Sequence, residues 1–330
     1  MLLAAHLSSL SFATPAAAPI IGGSGAFRYQ YMPDLLKPPA GASLVNCHGL
    51  VQDAENNIYL TYENDGKDQN CLIKWKPDGT GGEFVAFGNV SKLCSGTPHG
   101  LKIATEQGKQ YLYHANNNQK LTKTTLEGEI VWQRTGNFGQ DPTLPYRPTW
   151  FAVPPATKTE YIYLCDGYGS NNVYVFDRSN GEFMNKTYGG KGGRDQHGKF
   201  STNHGCTWDP RNDQIAVSDR ANSRFEYFDY DSTGGWTYSY TVDMQPPMGA
   251  GTLPCNLRMY PEQAGRAISP DLAGPVAVLD DSNKVVSVVN VSVLLAAEEH
   301  KHPHDAVFLP NGDMVVATWA PGRVSYWKKL

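Results

Sequence analysis

Residues Pro98–Asn118, PHGLKIATEQGKQYLYHANNN, open on Pro-His-Gly and run through an alternating strand, a polar turn and a second apolar strand into an asparagine-rich loop. Alternation of apolar and polar side chains marks a half-buried β-strand, and a short polar turn between two such runs reads as a hairpin. The same order of features occurs earlier at Cys47 (CHGLVQDAENNIYLTY). It returns at Arg147 (RPTWFAVPPATKTEYIYLCDGYGSNNVYVFD), at Asn203 (NHGCTWDPRNDQIAVSDRANSRFEYFD) and at Pro303 (PHDAVFLPNGDMVVATWAPGRVSYW). A more degenerate copy, PCNLRMYPEQAGRAISPDLAGPVAVLDDSNKVVSVVNV, begins at Pro254.

Aligned on their starts, the copies place His48, His99, Thr149, His204, Cys255 and His304 at one register, with successive spacings of 51, 50, 55, 51 and 49 residues. A repeat of about 50 residues with about four short strands is a propeller blade, so six copies predict an all-β, six-bladed β-propeller. The last copy stops at Leu330 without a fourth strand, while a strand-like segment, Ala26–Met32, lies ahead of the first. That segment is predicted to complete the last blade and close the ring, leaving no long edge exposed. Residues 26–330 show no linker or composition shift and are read as one domain, with Val291–His300 as the best candidate for a short helix.

Composition narrows the function. Lys and Arg number 28 against 32 Asp and Glu, a net charge of −4, so no basic surplus exists to neutralise nucleic-acid phosphates. No apolar run is long enough to span a bilayer, and no Gly-x-Ser-x-Gly elbow or Gly-Lys-Ser/Thr phosphate loop is present. Residues 1–25 read as a secretory signal lacking its charged start, or as a disordered terminus. Six cysteines, Cys47, Cys71, Cys94, Cys165, Cys206 and Cys255, allow up to three bridges. Asn89, Asn185 and Asn290 each head a glycosylation tripeptide. Together these favour a secreted glycoprotein with disulfide bonds, expected to be a monomer acting on a small molecule or peptide.

The inner strands of a propeller surround its central channel, so equivalent early positions converge on the axis. His99, His204 and His304 fall on alternate blades, a third of a turn apart, and form a triangle of imidazoles. Three histidines with one open position are the ligand set of a catalytic zinc, and manganese or iron would also fit. The alternative is a blade-start motif in which each His only bonds a turn; Thr149 and Cys255 at the same register show that the repeat itself does not require His. His48 stands beside the triangle as a fourth ligand or a polar channel residue.

The segments Pro98–Ile103, Arg147–Val153, Cys165–Asp177, Val217–Phe228 and Pro303–Val316 resemble the peptidyl-α-hydroxyglycine α-amidating lyase family, which is similar to NHL-repeat propellers. The resemblance extends from about residue 44 to 328. It implies a six-bladed propeller holding Zn2+ through His99, His204 and His304. It implies a structural Ca2+ bound by the backbone carbonyls of Leu50 and Leu101 and by Asp305, oxygen ligands that suit calcium. It further implies Tyr168 as catalytic base and Arg220 as an active-site cation. In family terms the hydroxyl of an α-hydroxylated amide binds zinc, the ionised tyrosine takes its proton, and the C–N bond breaks to give an amide and glyoxylate. Metal and guanidinium would both lower the phenol pKa.

Four positions depart from the family pattern. Glu63 lies in the Thr61–Asn64 stretch where a second arginine is expected, His302 replaces a methionine before the last zinc histidine, Gly169 replaces a cysteine, and His48 replaces a small residue. His48, Glu63 and His302 would reshape the substrate pocket. Two further readings therefore stand beside the lyase: a metal-dependent lyase or hydrolase on another small polar substrate, and a non-catalytic NHL-like propeller that binds a protein partner.

Overall fold

The computed structural model describes residues 18–66, 70–87, 93–136 and 143–330. Asn89 and most of the leader-like stretch, residues 1–17, lie outside them. The described chain folds into six antiparallel sheets arranged as six blades, as the repeat predicts. Their innermost strands are Asn46–Gln52, Pro98–Glu106, Trp150–Ala152, Asn203–Asp209, Arg258–Tyr260 and Pro303–Phe308.

Burial along each blade follows from its position in the stack. The second strand of blade four, Gln214–Asp219, packs between neighbouring sheets on both faces and is buried at every residue. The outermost strand, Trp236–Asp243, faces a neighbour on one side only and shows a mixed pattern. Six apolar clusters result, each shared by adjacent blades. Between blades three and four, for example, Tyr163, Cys165 and Val175 pack against Cys206, Ile215 and Phe228. The cluster of Leu50, Ile58 and Leu60 with Val307, Val315 and Ala317 joins blade six to blade one. Each buried branched or aromatic side chain contributes roughly 1.5–3 kcal/mol, so the interblade layers hold the ring together.

Closure uses the N-terminal segment. Phe27–Tyr31 pairs with Arg323–Lys329, setting Tyr31 opposite Trp327, whose side chain is fully buried. The structure adds a strand that the sequence reading assigned to a leader or disordered terminus. Ile21–Ser24 forms a hairpin with Phe27–Tyr31, making blade six five-stranded, and the Ser24 amide donates to Ser287 Oγ of blade five. The short helix expected within Val291–His300 is one α-turn, Val291–Leu294, followed by a 3-10 turn, Ala296–Glu298. Among the described residues no helix is long and apolar enough to cross a membrane. One disulfide, Cys71–Cys94, is formed; Cys47, Cys165, Cys206 and Cys255 are free and buried.

Candidate metal centre

The Pro-His-Gly start is explained by how the blades meet. A Cβ on Gly49 would lie 2.6 Å from the Leu101 amide nitrogen, and one on Gly205 would lie 2.6 Å from the Cys255 carbonyl oxygen. Glycine after the histidine therefore lets one inner strand lie against the backbone of the next. With the strands that close, the histidine side chains meet in the channel.

Each of two imidazoles is held by the residue at its own register in the following blade. His99 Nδ1–H donates to the Thr149 carbonyl at 2.9 Å, and His204 Nδ1–H donates to the Cys255 carbonyl at 2.7 Å. These bonds fix the tautomer and leave both Nε2 lone pairs free, the usual outer support of a metal-binding histidine. Both Nε2 atoms, together with Nδ1 and Nε2 of His304, are buried without a hydrogen-bond partner. The rings lie 4.9 Å (His99–His204), 4.8 Å (His99–His304) and 4.6 Å (His204–His304) apart. Burial, followed by the neighbouring cationic and imidazole groups, drives all three far below the usual histidine pKa, so they are neutral. An unpaired buried polar atom costs about 1–3 kcal/mol, and a cluster of them on one axis suits a shared cation. The donor set therefore fits a divalent metal.

A fourth imidazole joins this group. His48 lies 4.5 Å from the His99 ring and 4.7 Å from that of His304. Among the described residues the trio whose ligand nitrogens all fall within 4.8 Å of one another is His48, His99 and His304, whereas the expected set has His204 in place of His48. Glu63 Oε1 lies 2.7 Å from His48 Nε2, leaving Nδ1 buried and unpartnered. Glu63, the last residue of the blade-one strand Ile58–Glu63, thus turns inward and backs a histidine.

Tyr168 and Arg220 reach the same place from two turns built alike. Asp166 directly follows the blade-three strand Tyr161–Cys165 and caps the turn carrying Tyr168, accepting from the Arg147 amide at 2.5 Å and from the Ser170 amide and hydroxyl at 2.7 Å each. Asp219 does the same in blade four, accepting from the Ser201 amide at 2.7 Å and from Arg224 Nε at 2.8 Å. With Asp219 paired to Arg224, Arg220 is left to donate to the Tyr168 phenol oxygen at 3.1 Å, its guanidinium 5.2 Å from the ring centroid. The Tyr168 ring stands 5.3 Å from His99 and 5.4 Å from His204. Burial pushes its phenol above the usual 10 while Arg220 pulls it down. Glu63, which the sequence reading expected to raise the phenol if it turned inward, adds to the rise, while burial, the largest cause, was omitted.

His48, Glu63, Tyr168, Arg220, His304 and Trp319 line a cavity of about 440 Å³. His302 is not among its lining residues. Its Nδ1–H donates to the Leu272 carbonyl at 2.9 Å, and its ring lies 6.0 Å from Trp319, so it stands behind the wall.

The residues expected to bind calcium do not fit that ion. Leu50, Leu101 and Asp305 are all buried near the axis, but Arg258 already supplies the positive charge. Its Nη2 donates to the Leu50 carbonyl and lies 2.5 Å from Asp305 Oδ2. Asp305 also accepts from the Leu50 amide at 2.7 Å and from Asn256 Nδ2 at 3.1 Å. A guanidinium fulfils the role that the resemblance gave to a metal. Sequence reasoning missed it, although Arg258 lies three residues after the register position Cys255.

No protein-family model matches the chain. It is 31% identical over 205 residues to peptidylglycine alpha-amidating monooxygenase of Rattus norvegicus, and equally so to that of Mus musculus. The match covers 56% of this chain, which spans only 20% of the length of those curated relatives. Among solved structures, a streptogramin B lyase superposes with a TM-score of 0.53 at 12% identity, covering 96% of this chain and 95% of that one. A catalytically inactive variant of virginiamycin B lyase from Staphylococcus aureus, bound to quinupristin, gives 0.54 at 10% identity, covering 92% and 88%. A protein of unknown function from Bacteroides thetaiotaomicron gives 0.60 at 12%, covering 94% and 76%. The likeness to the solved structures shows the propeller fold, and the curated relatives show distant similarity to an amidating enzyme.

Proposed function

We propose that the chain is a zinc-dependent carbon–nitrogen lyase acting on an α-hydroxylated amide, with His99, His204 and His304 holding the metal. The observation that carries this reading is the set of buried, neutral, unpartnered imidazole nitrogens beside the Tyr168–Arg220 pair. The amidating name of the rat and mouse relatives supports it. Zinc bound there supplies Lewis-acid activation of the substrate hydroxyl. Tyr168 is the group placed to accept the hydroxyl proton, and Arg220, donating to its oxygen, stabilises the phenolate form and suits a substrate carboxylate. The C–N bond breaks with its electron pair leaving on nitrogen, which takes up a proton. An α-hydroxyglycine amide would thus yield a primary amide and glyoxylate. The test is glyoxylate release from such an amide by the full-length protein, alongside elemental analysis. Turnover that survives Tyr168→Phe, or protein that binds no divalent metal, ends this reading.

The His48–Glu63 pair favours a second reading. It places an imidazole backed by a carboxylate inside the cavity, which suits metal-dependent lyase or hydrolase chemistry on a different small polar substrate. Full zinc occupancy without any glyoxylate release would select it. We also place the chain in the secretory pathway, supported by the Cys71–Cys94 disulfide and by the exposure of Asn185 and Asn290.

A further inference from the structure

The channel has a second mouth. Inner strands advance about 3.3 Å per residue, so positions three and four residues beyond the histidine register lie roughly 10–13 Å further along the axis. There a cavity of about 230 Å³ is lined by residues of all six blades, including Gln52, Lys102, Thr207, Arg258 and Tyr260.

Its polar lining is rich in donors. Lys102, 8% exposed, donates to Thr207 Oγ1 at 2.7 Å, which leaves two ammonium hydrogens and turns the threonine hydroxyl's own hydrogen elsewhere. Gln52 Nε2 is buried without a partner. The Tyr260 hydroxyl accepts from the Phe308 amide at 2.9 Å and keeps its hydrogen to donate. No carboxylate is among the residues lining the cavity, and the nearby Asp305 is paired with Arg258. Arg258 takes the nearby carboxylate, so the Lys102 ammonium has no counter-ion of its own, and burial, with Arg258 adding to it, pulls its pKa down to about 7. A buried charge without a partner is costly, and orphaned donors around it add to that cost.

We propose that this mouth is a binding site for a small oxyanion, a carboxylate or phosphate group, held by Lys102 with Gln52, Thr207 and Tyr260. The excess cation supplies the charge-assisted bond, and the neutral donors from other blades take the remaining oxygens. This site is separate from the histidine cluster and does not depend on the lyase reading.

The test is calorimetric titration of the full-length protein at pH 7 with inorganic phosphate and, separately, with acetate. One anion is expected to bind, and the tighter of the two tells whether phosphate or carboxylate is the natural group. Lys102→Met should weaken binding at least tenfold and Gln52→Leu severalfold, while His99→Ala, at the other mouth, leaves it unchanged. If Lys102→Met fails to fold, Gln52→Leu and the shift of the Lys102 side-chain ammonium resonance of the wild-type protein on adding phosphate carry the test. Absence of binding by both anions overturns the proposal. So does binding that Gln52→Leu leaves intact without movement of the Lys102 signal, or binding abolished by His99→Ala.

Discussion

The two ends of one channel solve opposite electrostatic problems with the same strands. At the first register position the ring presents imidazoles whose lone pairs have no partner and whose charge is suppressed by burial. Three residues on, the ring carries Lys102 and Arg258, and Arg258 is fastened to Asp305 and to the Leu50 carbonyl. One end offers unpartnered lone pairs; the other has cations set against a carboxylate. The difference teaches that likeness in fold does not carry over site by site. The alternate-blade histidines meet on the axis, while the position at which a structural metal was expected is held by a side chain. A propeller repeat permits this because each register position is an independent ring of six side chains on a shared backbone.

The comparison is broken most directly at the histidine end. His99→Ala combined with His304→Ala should reduce bound zinc from about one equivalent to below a tenth, measured by elemental analysis, and abolish turnover. Undiminished zinc in the double variant would mean that the cation sits elsewhere. Tyr168→Phe should keep the zinc and lower turnover by about 10²–10⁴-fold, the usual contribution of a positioned base. At the other end, Arg258→Met leaves Asp305 buried without its cation and should destabilise the protein by about 3–5 kcal/mol in chemical denaturation. The wild-type melting temperature should respond neither to calcium nor to its chelation. Stabilisation of the wild type by calcium would show that Arg258 yields its place.

The architecture was legible because blade packing imposes its period on the sequence. Glycine follows the register position in three copies, at Gly49, Gly100 and Gly205, and every copy carries a mostly buried second strand, so the spacings 51, 50, 55, 51 and 49 count blades directly. The histidine cluster was legible for the same reason, since one register position is one height on the axis. Four things were not. His48 reads as one more channel residue until Glu63, at the end of strand Ile58–Glu63, is seen turned toward it, a pairing between side chains of two strands that no period reports. The rise of the Tyr168 phenol comes from burial, which no local motif reports. Arg258, Lys102 and Thr207 share a register three residues beyond Cys255, His99 and His204, so the signal was present in the same alignment. It went unread because charge pairing across the axis appears only once the ring is closed. Ile21–Ser24 was hidden by its leader-like neighbours, its strand character resting on a hairpin with Phe27–Tyr31.

The smallest effect concerns an imidazole outside the channel, where burial is the main influence on the charge. His300, 2% exposed, has its pKa pushed down to about 4 by burial, with Arg323 adding to the effect. The unfolded chain, with a histidine pKa near 6.5, therefore takes up the proton first as the solution is acidified. Its contribution to stability is intact above pH 6.5 and falls as pH drops from 6.5 to about 4, by roughly 3 kcal/mol in all. His114, held down to about 3 by burial, has the same sign. Asp166, raised to about 6 by burial, has the opposite sign, because the folded state protonates first and gains stability as pH falls from 6 toward the ordinary carboxylate value. Urea denaturation across pH 7 to 4 should thus show a fall in stability that His300→Gln flattens. An unchanged slope in that variant would mean that His300 reaches water in the folded state and that burial does not by itself hold it neutral.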